Sequence, residues 1–230
     1  MNTSTLKRRA LNNLEGNWGL SVGVAFLAAL LGGISLSSNF NVKIDEEVLW
    51  RLPQFVVNLL ALYASVMSLL GLAQFIIGGT INLGYTQYLL DQHDRRELDF
   101  HVLFSQFHRF GVGFLQFFLR NLYIALWSLL FIIPGIVKTY SYAMTPYILA
   151  DHPDMTANEA ITASRQLMDG HKGELFWLRL TFIGWSILCV FTLGIGSLFL
   201  NPYVNAAEAA FYRQLTGSNR AETHLNAEYE

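Results

Sequence analysis

The chain of 230 residues has little charge, one cysteine and five prolines, and each scarcity excludes something. Only 14% of the residues are charged, whereas soluble domains carry about 25%, so a large water-facing surface is not expected. The single cysteine, Cys189, excludes a disulfide framework. A net charge of −2 argues against a nucleic-acid-binding face. Because 53% of the residues are hydrophobic, lipid is the expected surrounding for much of the chain.

The sequence also lacks the common catalytic motifs. It contains no His-Glu-x-x-His helix, no Gly-rich phosphate loop ending in Lys-Ser/Thr, and no Gly-x-Ser-x-Gly elbow. One group of acidic residues and histidines lies in a single polar connection, but its irregular spacing is typical of a solvated linker. Its members are Asp91, His93, Asp94, Asp99 and His101. We therefore expect no enzyme activity, no metal and no cofactor.

Long apolar runs predict an all-α, polytopic bundle of transmembrane helices. A helix needs about 20 apolar residues to cross a bilayer. Six crossings result if the breaks at Pro134-Gly135 and Gly194–Gly196 are outer turns. Four result if 80–90 only extends the second span and one break is a kink. Both counts remain open, and we favour six. The candidate spans are 18–36, 53–79 with a milder continuation at 80–90, 114–133, 136–150, 176–193 and 198–211.

The distribution of lysine and arginine predicts the orientation of these spans. Basic residues concentrate near the N-terminus, in 91–110, in 151–173 and in the tail, whereas 38–52 is acidic. Since positive loops stay in the cytoplasm, both termini are expected there and 38–52 outside. The first apolar stretch is interpreted as an uncleaved signal-anchor helix. We expect one membrane domain over 1–216 and a polar cytoplasmic tail over 217–230.

Two similar sequence motifs indicate an internal repeat. Trp127-Ser128-Leu129-Leu130 precedes Pro134-Gly135-Ile136, and Trp185-Ser186-Ile187-Leu188 precedes Gly194-Ile195-Gly196. Amphipathic helices are predicted before the spans at 6–16, 100–111 and 157–170, the third starting with a Thr156/Glu159 capping box. We therefore predict three pseudo-repeats, each an interfacial helix, a span, a break and a second span.

Three ionisable residues within apolar runs are candidates for a binding site: Arg120, Arg179 and Glu208. A charge facing hydrocarbon costs several kcal/mol, about 3 or more at the bilayer centre, so these side chains should face protein or headgroups. One interpretation is an inner-leaflet site at which two guanidinium groups bind a phosphate or carboxylate. The other is structural: each arginine snorkels to the headgroups or pairs with Glu208 as an internal brace. Both interpretations remain open.

Glycines and prolines predict where helices break. Broken helices expose backbone carbonyls and line the sites of many transporters, although a packing role explains such residues equally well. The predicted positions are Pro134, Gly135, Pro146, Gly194 and Pro202.

The ordered motifs also resemble a known family. They are Trp127-Ser128 with Pro134-Gly135-Ile136, the run 156–172, Phe182-Ile183-Gly184-Trp185, Gly194-Ile195-Gly196, Pro202-Tyr203 and Phe211-Tyr212. Over about residues 5–216 the chain resembles a family of Gram-positive integral membrane proteins called domain of unknown function nine-seven-five. That family is similar to the membrane part of certain glycerophosphodiester phosphodiesterases, whose catalytic domain has no counterpart here. The resemblance implies a multi-pass protein of the bacterial plasma membrane and transfers no activity or site residue.

Two functions agree with these observations. The first is a transport, export or lipid-handling protein, favoured by the broken spans and the intramembrane arginines. The second is a non-transporting membrane scaffold or an immunity-type subunit that packs against a partner. The expected partners are membrane lipids, and another membrane protein or a second copy in the scaffold case. A polar cavity would favour the first function, and a sealed core with an apolar lateral groove would favour the second.

Overall fold

The computed structural model describes residues 3–32, 53–96, 98–192 and 196–228, and all regular structure in these ranges is helical. The predicted outer connection at 38–52 and the predicted break at Gly194 lie outside the described residues. The α-helices are α1 (Thr3–Leu14), α2 (Trp18–Leu30), α3 (Gln54–His93), α4 (Phe110–Leu130), α5 (Ile132–Ser141), α6 (Thr145–Asp151), α7 (Ala157–Leu167), α8 (Lys172–Phe191) and α9 (Ser197–Glu228).

Helix α3 is the longest element, with 40 residues and no Asp, Glu, Lys or Arg before Asp91. It runs without interruption through the Gly78-Gly79 pair, so the milder stretch 80–90 extends the preceding apolar run. The two halves of the helix have different surroundings. Residues 61–76 expose nearly every described side chain, whereas Tyr85 and Tyr88 in the second half are buried in the core.

The core forms where the second half of α3 meets α1, α6 and α9. Helix α9 contributes four alanines, Ala206, Ala207, Ala209 and Ala210, each at most 4% exposed. Such small side chains let neighbouring helices approach closely. Helix α1 packs on α9 and buries Leu6, Ala10 and Leu14, whose spacing of four places them on one helix face. Amphipathic α1 therefore lies against the bundle with its charged face outward.

Glycines allow α3 and α4 to cross closely. A Cβ on Gly79 would collide with the Gly113 carbonyl, and a Cβ on Gly84 would collide with the Leu103 carbonyl. The ring of Phe75 packs edge-on against Phe117, with centroids 5.9 Å apart. These contacts pair the middle of α3 with the start of α4 in antiparallel order.

The amphipathic helix predicted at 100–111 is wrong in its helix type. The chain forms two 3₁₀ helices, Phe100–Leu103 and Ser105–Arg109, before α4 begins. Asp99 accepts a hydrogen bond from the backbone N–H of His101, and the Ser105 hydroxyl donates to the Val102 carbonyl at 2.7 Å. Such local side-chain bonds compete with a continuous α-helix. The other two predicted helices are present as α1 and α7.

The capping box predicted for α7 is confirmed. The backbone N–H of Thr156 donates to Glu159 at 2.7 Å, and the Thr156 hydroxyl accepts from the backbone N–H of Glu159. This bond to the Thr156 N–H lowers the pKa of the Glu159 carboxyl. Gly170, predicted as the C-cap, follows the helix with φ +77°, which suits glycine.

The predicted pseudo-repeats are not supported as equivalent units. The first break falls at Phe131, an extended residue (φ −157°, ψ 144°), and Pro134 lies in the first turn of α5. Helix α8 ends at Phe191 and α9 begins at Ser197, and the predicted second break at Gly194 lies outside the described residues. The next spans also differ, because a turn at 142–144 separates α5 from α6, whereas α9 is one helix through Pro202 and on to Glu228.

Two helical stretches are long and apolar enough to cross a membrane, Gln54–His93 and Phe100–Leu130, and α2 is a shorter apolar helix. Apolar side chains are also unusually exposed at the end of α4, the start of α5 and the end of α8. Leu129 is 89% exposed, Ile133 75% and Phe191 81%. Contiguous exposed apolar surface of this kind is rare on soluble monomers. The described residues therefore leave these apolar side chains largely uncovered.

Candidate functional site

A cavity of about 740 Å³ opens between α3, α4, α5, α6, α8 and α9, and all three charged candidates from the sequence line it. Arg120 projects from α4, Arg179 from α8 and Glu208 from α9. Its volume lies within the range of about 300–1,000 Å³ that is typical of small-molecule sites. The predicted proximity of the three residues is therefore present in the structure.

Arg179 and Glu208 form a two-point ion pair. Nε of Arg179 donates to Oε1 of Glu208 at 2.7 Å, and Nη2 donates to Oε2 at 3.1 Å. The guanidinium also lies 5.4 Å from the centre of the Tyr140 ring, within the range of a cation–π contact. Glu208 is only 8% exposed, so its charge depends on this partner. The brace interpretation describes this pair.

Arg120 is different, because the described residues supply no carboxylate within ion-pair distance of its guanidinium. Its Nε is buried and has no hydrogen-bond partner in the described part of the chain. Arg179 and Glu208 together are neutral, so Arg120 gives the cavity a net charge of about +1. Arg120 lies seven residues before Trp127, and Arg179 lies six residues before Trp185. Despite these similar positions in the sequence, the two arginines have different surroundings in the structure.

Neutral polar side chains complete the lining. Tyr85 accepts a hydrogen bond at 3.4 Å from the Asn205 amide, and Asn201 lies one turn earlier on α9. Amides and hydroxyls of this kind donate to and accept from polar ligand groups. The binding residues that we predicted from the sequence are all charged, and we did not predict that these neutral side chains line the cavity. Uncharged polar residues inside apolar runs are the pattern that would have indicated them. The missed residues are Asn82, Tyr85, Thr86, Asn121, Thr139, Asn201 and Asn205.

The predicted helix breaks contribute unequally. Pro146 lines the cavity together with Tyr142 and Tyr147, just after the turn that separates α5 from α6. Pro134 and Gly135 are not among its lining residues. A Cβ on Gly135 would meet the Ser128 side chain, so this glycine allows α5 to pack on α4. Pro202 lies inside α9 without ending the helix.

A second ionic cluster lies at the end of the bundle that contains the termini of α3 and α6. Arg213 of α9 donates to Asp94 at 2.6 Å through Nη2 and to Asp151 through Nη1. The Tyr212 hydroxyl also donates to Asp151, at 3.0 Å. This cluster links three helices, and the side chain of Arg213 within it is about 20% exposed. This role of Arg213 was not predicted from the sequence.

The predicted polar connection after α3 does not converge on one point. Asp91 pairs with Arg96 at 3.2 Å, and Asp99 pairs with His101 at 2.9 Å. In the described residues no group of three His, Cys, Asp or Glu side chains has the arrangement of a metal site.

Comparison with known proteins agrees with part of the predicted resemblance. No curated protein and no solved structure matches the chain. A family model matches the chain from the break before α5 into α9, a stretch that includes Arg179 and Glu208 but not Arg120. Residues 131–219 match the family described as "Protein of unknown function (DUF975)".

Proposed function

We propose that the protein is a multi-pass membrane protein whose cavity binds a small anionic solute or an anionic lipid headgroup, for transport, export or lipid handling. The observation that carries this proposal is the guanidinium of Arg120, which faces the cavity without a carboxylate partner. An uncompensated charge inside an apolar bundle costs several kcal/mol, about 3 or more. A bound anion would offset that cost.

The chemistry of the lining supports an anion with further polar groups. An arginine binds phosphate or carboxylate through two parallel hydrogen bonds. The surrounding asparagine amides and tyrosine hydroxyls offer both donors and acceptors to the rest of such a ligand. Since the described residues leave Arg179 already paired with Glu208, Arg120 is the primary anchor in this proposal.

We further propose six crossings, by α2, α3, α4, α5 with α6, α8 and α9. This threading puts 38–52 and the break at Phe131 outside, and both termini in the cytoplasm of a bacterial plasma membrane. The likeness to the membrane part of glycerophosphodiester phosphodiesterases rests on sequence motifs alone. Cysteines introduced singly at Asn41 and Glu97 in a Cys189→Ser background test the threading. Only the first should react with an impermeant maleimide in intact cells, and equal labelling of both would contradict it.

Native mass spectrometry of the protein, purified in mild detergent, tests anion binding. We expect wild-type protein to retain inorganic phosphate or an anionic phospholipid when either is supplied, and Arg120→Gln to lose most of the adduct. Arg8→Gln is the matched control, because Arg8 is an exposed arginine of α1 outside the cavity. Loss of the adduct in the control as well, or retention in Arg120→Gln, would contradict the proposal. Current transients of reconstituted protein on anion addition then distinguish a carrier from a binding protein.

The scaffold alternative is favoured by one observation, the exposed first half of α3. Over 61–76 every described residue is exposed, and the large apolar side chains have exposed fractions of 41–69%. Lipid or a partner helix would cover this apolar surface in a membrane. The same native mass spectra distinguish a scaffold from an anion-binding protein. A stable oligomer or heterocomplex, together with failure to bind any anion, favours the scaffold.

A further inference from the structure

A second cavity, of about 360 Å³, lies between α4, α5 and α7, beside the cavity that contains Arg120 (the anion cavity). Lys138 of α5 and Arg165 of α7 line the second cavity, and no described carboxylate lies within ion-pair distance of either. The Nζ atom of Lys138 lies 4.7 Å from the centre of the Trp127 ring, which holds the ammonium group at the cavity wall. The second cavity therefore carries a charge of about +2.

Tyr142 stands between the two cavities, because it alone among the described residues lines both of them. It lies in the turn that separates α5 from α6, and its ring centroid is 6.3 Å from that of Tyr123. Since open space adjoins the ring on both sides, it can move to another rotamer without displacing a packed neighbour. Tyr142 is thus a movable partition.

The second cavity is the more accessible to water. Of the described residues that line the anion cavity only Asn121 is exposed, whereas four of those that line the second cavity are exposed. Three of the four, Asn158, Thr162 and Arg165, lie on one face of α7. Polar and charged side chains within a membrane face protein or a water-filled cavity. We therefore interpret the second cavity as a vestibule that contains water.

The order of the lining residues along α5 and α6 gives the depth of the two cavities. In the proposed threading the chain turns at Phe131 on the outer side. At 1.5 Å per residue, Lys138 lies about 10 Å and Tyr142 about 16 Å inward of this turn. Tyr147, which lines only the anion cavity, comes later in the span. Because half of the hydrocarbon core is about 15 Å, the second cavity lies in the outer half and Tyr142 lies near the middle.

Helix α7 reaches the same depth. Tyr123, eight residues before Phe131, donates a hydrogen bond to Asn158 at 3.2 Å. The Ser164 hydroxyl donates at 2.9 Å to the carbonyl of Ser141, ten residues after Phe131. Both contacts are thus about 12–15 Å inward of the outer turn. Because α6 ends and α8 begins at the cytoplasmic side in this threading, α7 is a re-entrant helix.

We propose that the second cavity is the outward-facing entrance to the anion cavity, in which Lys138 and Arg165 attract the anion and Tyr142 controls its passage. A basic cavity with low-dielectric walls concentrates anions and raises the rate at which they enter. The inference rests on the proposed function, because it concerns the route to Arg120. Substitutions in the second cavity should therefore change the rate of entry.

A single cysteine inside the anion cavity measures this rate. Val204 of α9 lines only the anion cavity, so Val204→Cys in the full-length Cys189→Ser protein is the reporter. Its modification in mild detergent is timed with anionic 2-sulfonatoethyl methanethiosulfonate and with uncharged methyl methanethiosulfonate. At low salt, Lys138→Gln/Arg165→Gln should slow the anionic reagent about tenfold, the lower end of electrostatic steering effects. The uncharged reagent should react as before, which shows that the cavity is intact, and Arg8→Gln is the matched control.

Substitution of Tyr142 tests the partition. Tyr142→Ala should speed both reagents about two- to tenfold, the factor that corresponds to the usual cost of moving a side chain off its rotamer. Tyr142→Phe keeps the ring and should restore the slow reaction. Equal rates of the anionic reagent in wild type and Lys138→Gln/Arg165→Gln would overturn the proposal, as would unchanged rates in Tyr142→Ala.

Labelling in intact cells tests the outward orientation. Thr162→Cys in the Cys189→Ser background should react with an impermeant maleimide from outside, as Asn41→Cys does and Glu97→Cys does not. No reaction of Thr162→Cys would contradict an outward-facing entrance. The native mass spectra separate this inference from the proposed function. Wild-type protein that retains no anion contradicts the proposed function, whereas retained anion with entry independent of the second cavity contradicts only the entrance.

Discussion

Neutralising Arg179 and neutralising Arg120 should have opposite effects on stability, although both arginines line one cavity. Arg179→Gln leaves Glu208 without two charge-assisted hydrogen bonds at 8% exposure. Breaking a buried ion pair by removing one partner costs about 3–5 kcal/mol. Because the Arg179 side chain is 35% exposed, water screens part of this interaction, and we expect a loss of about 2–3 kcal/mol.

Arg120→Gln should have little or no cost. It removes a cation with no carboxylate partner among the described residues and leaves no described carboxylate unpaired. We expect the stability to change between zero and a gain of about 1 kcal/mol in the absence of ligand. At this chain length 1 kcal/mol corresponds to about 2–4 °C in Tm. The two variants should therefore differ by at least about 4 °C.

Thermal unfolding in one detergent, followed by circular dichroism and by tryptophan fluorescence, measures both effects. The double variant Arg179→Gln/Glu208→Gln is the internal control, because it removes both charges and should recover most of the loss of the single variant. Equal destabilisation by Arg179→Gln and Arg120→Gln would refute the division into a braced and an unpaired arginine. So would failure of the double variant to recover stability.

Three further changes test the packing around the site. Gly79→Ala should destabilise by about 1–3 kcal/mol, because the new methyl group meets the Gly113 carbonyl, whereas Gly173→Ala enters open space and should be neutral or stabilising in the same unfolding assay. Arg213→Gln should cost about 2 kcal/mol, since it removes the ion pairs to Asp94 and Asp151, and elevated salt should reduce the difference from wild type if the cluster is ionic. Thr156→Ala should cost about 1 kcal/mol. Because its pKa is lowered in the folded protein, the Glu159 carboxylate stabilises the fold at pH values above the usual pKa of glutamate, and this stabilisation is lost as the pH falls. The difference in thermal midpoint between wild type and Glu159→Gln should therefore shrink on acidification.

Much of the site was predictable because charge inside an apolar run is expensive. That cost identified Arg120, Arg179 and Glu208 before their helices were placed, and all three line one cavity. The sequence could not decide which arginine pairs with Glu208, because that choice depends on the relative rotation of α4, α8 and α9. The asparagines were missed because an amide within an apolar run commonly hydrogen-bonds to a neighbouring helix, so its presence alone does not indicate a ligand site.

The helices were predicted better than their ends. Apolar runs and a capping box placed α2, α4, α7 and α8. The sequence predicted a helix break at Pro134-Gly135. Because proline is tolerated in the first turn of a helix, these residues lie within α5, and the chain breaks earlier, at Phe131. The 3₁₀ geometry after Asp99 depends on local side-chain hydrogen bonds and on the close contact between Gly84 and Leu103. The hydrophobic periodicity of the sequence does not predict either of these.

The most direct test of the central claim is an electron cryomicroscopy map of the wild-type protein in lipid nanodiscs. The map must resolve the side chain of Arg120 and its surroundings. The proposed function predicts non-protein density within hydrogen-bond distance of the Arg120 guanidinium, in a cavity at the level of the lipid belt, with Arg179 still paired to Glu208. A protein carboxylate against Arg120, or a cavity outside the lipid belt, would contradict it.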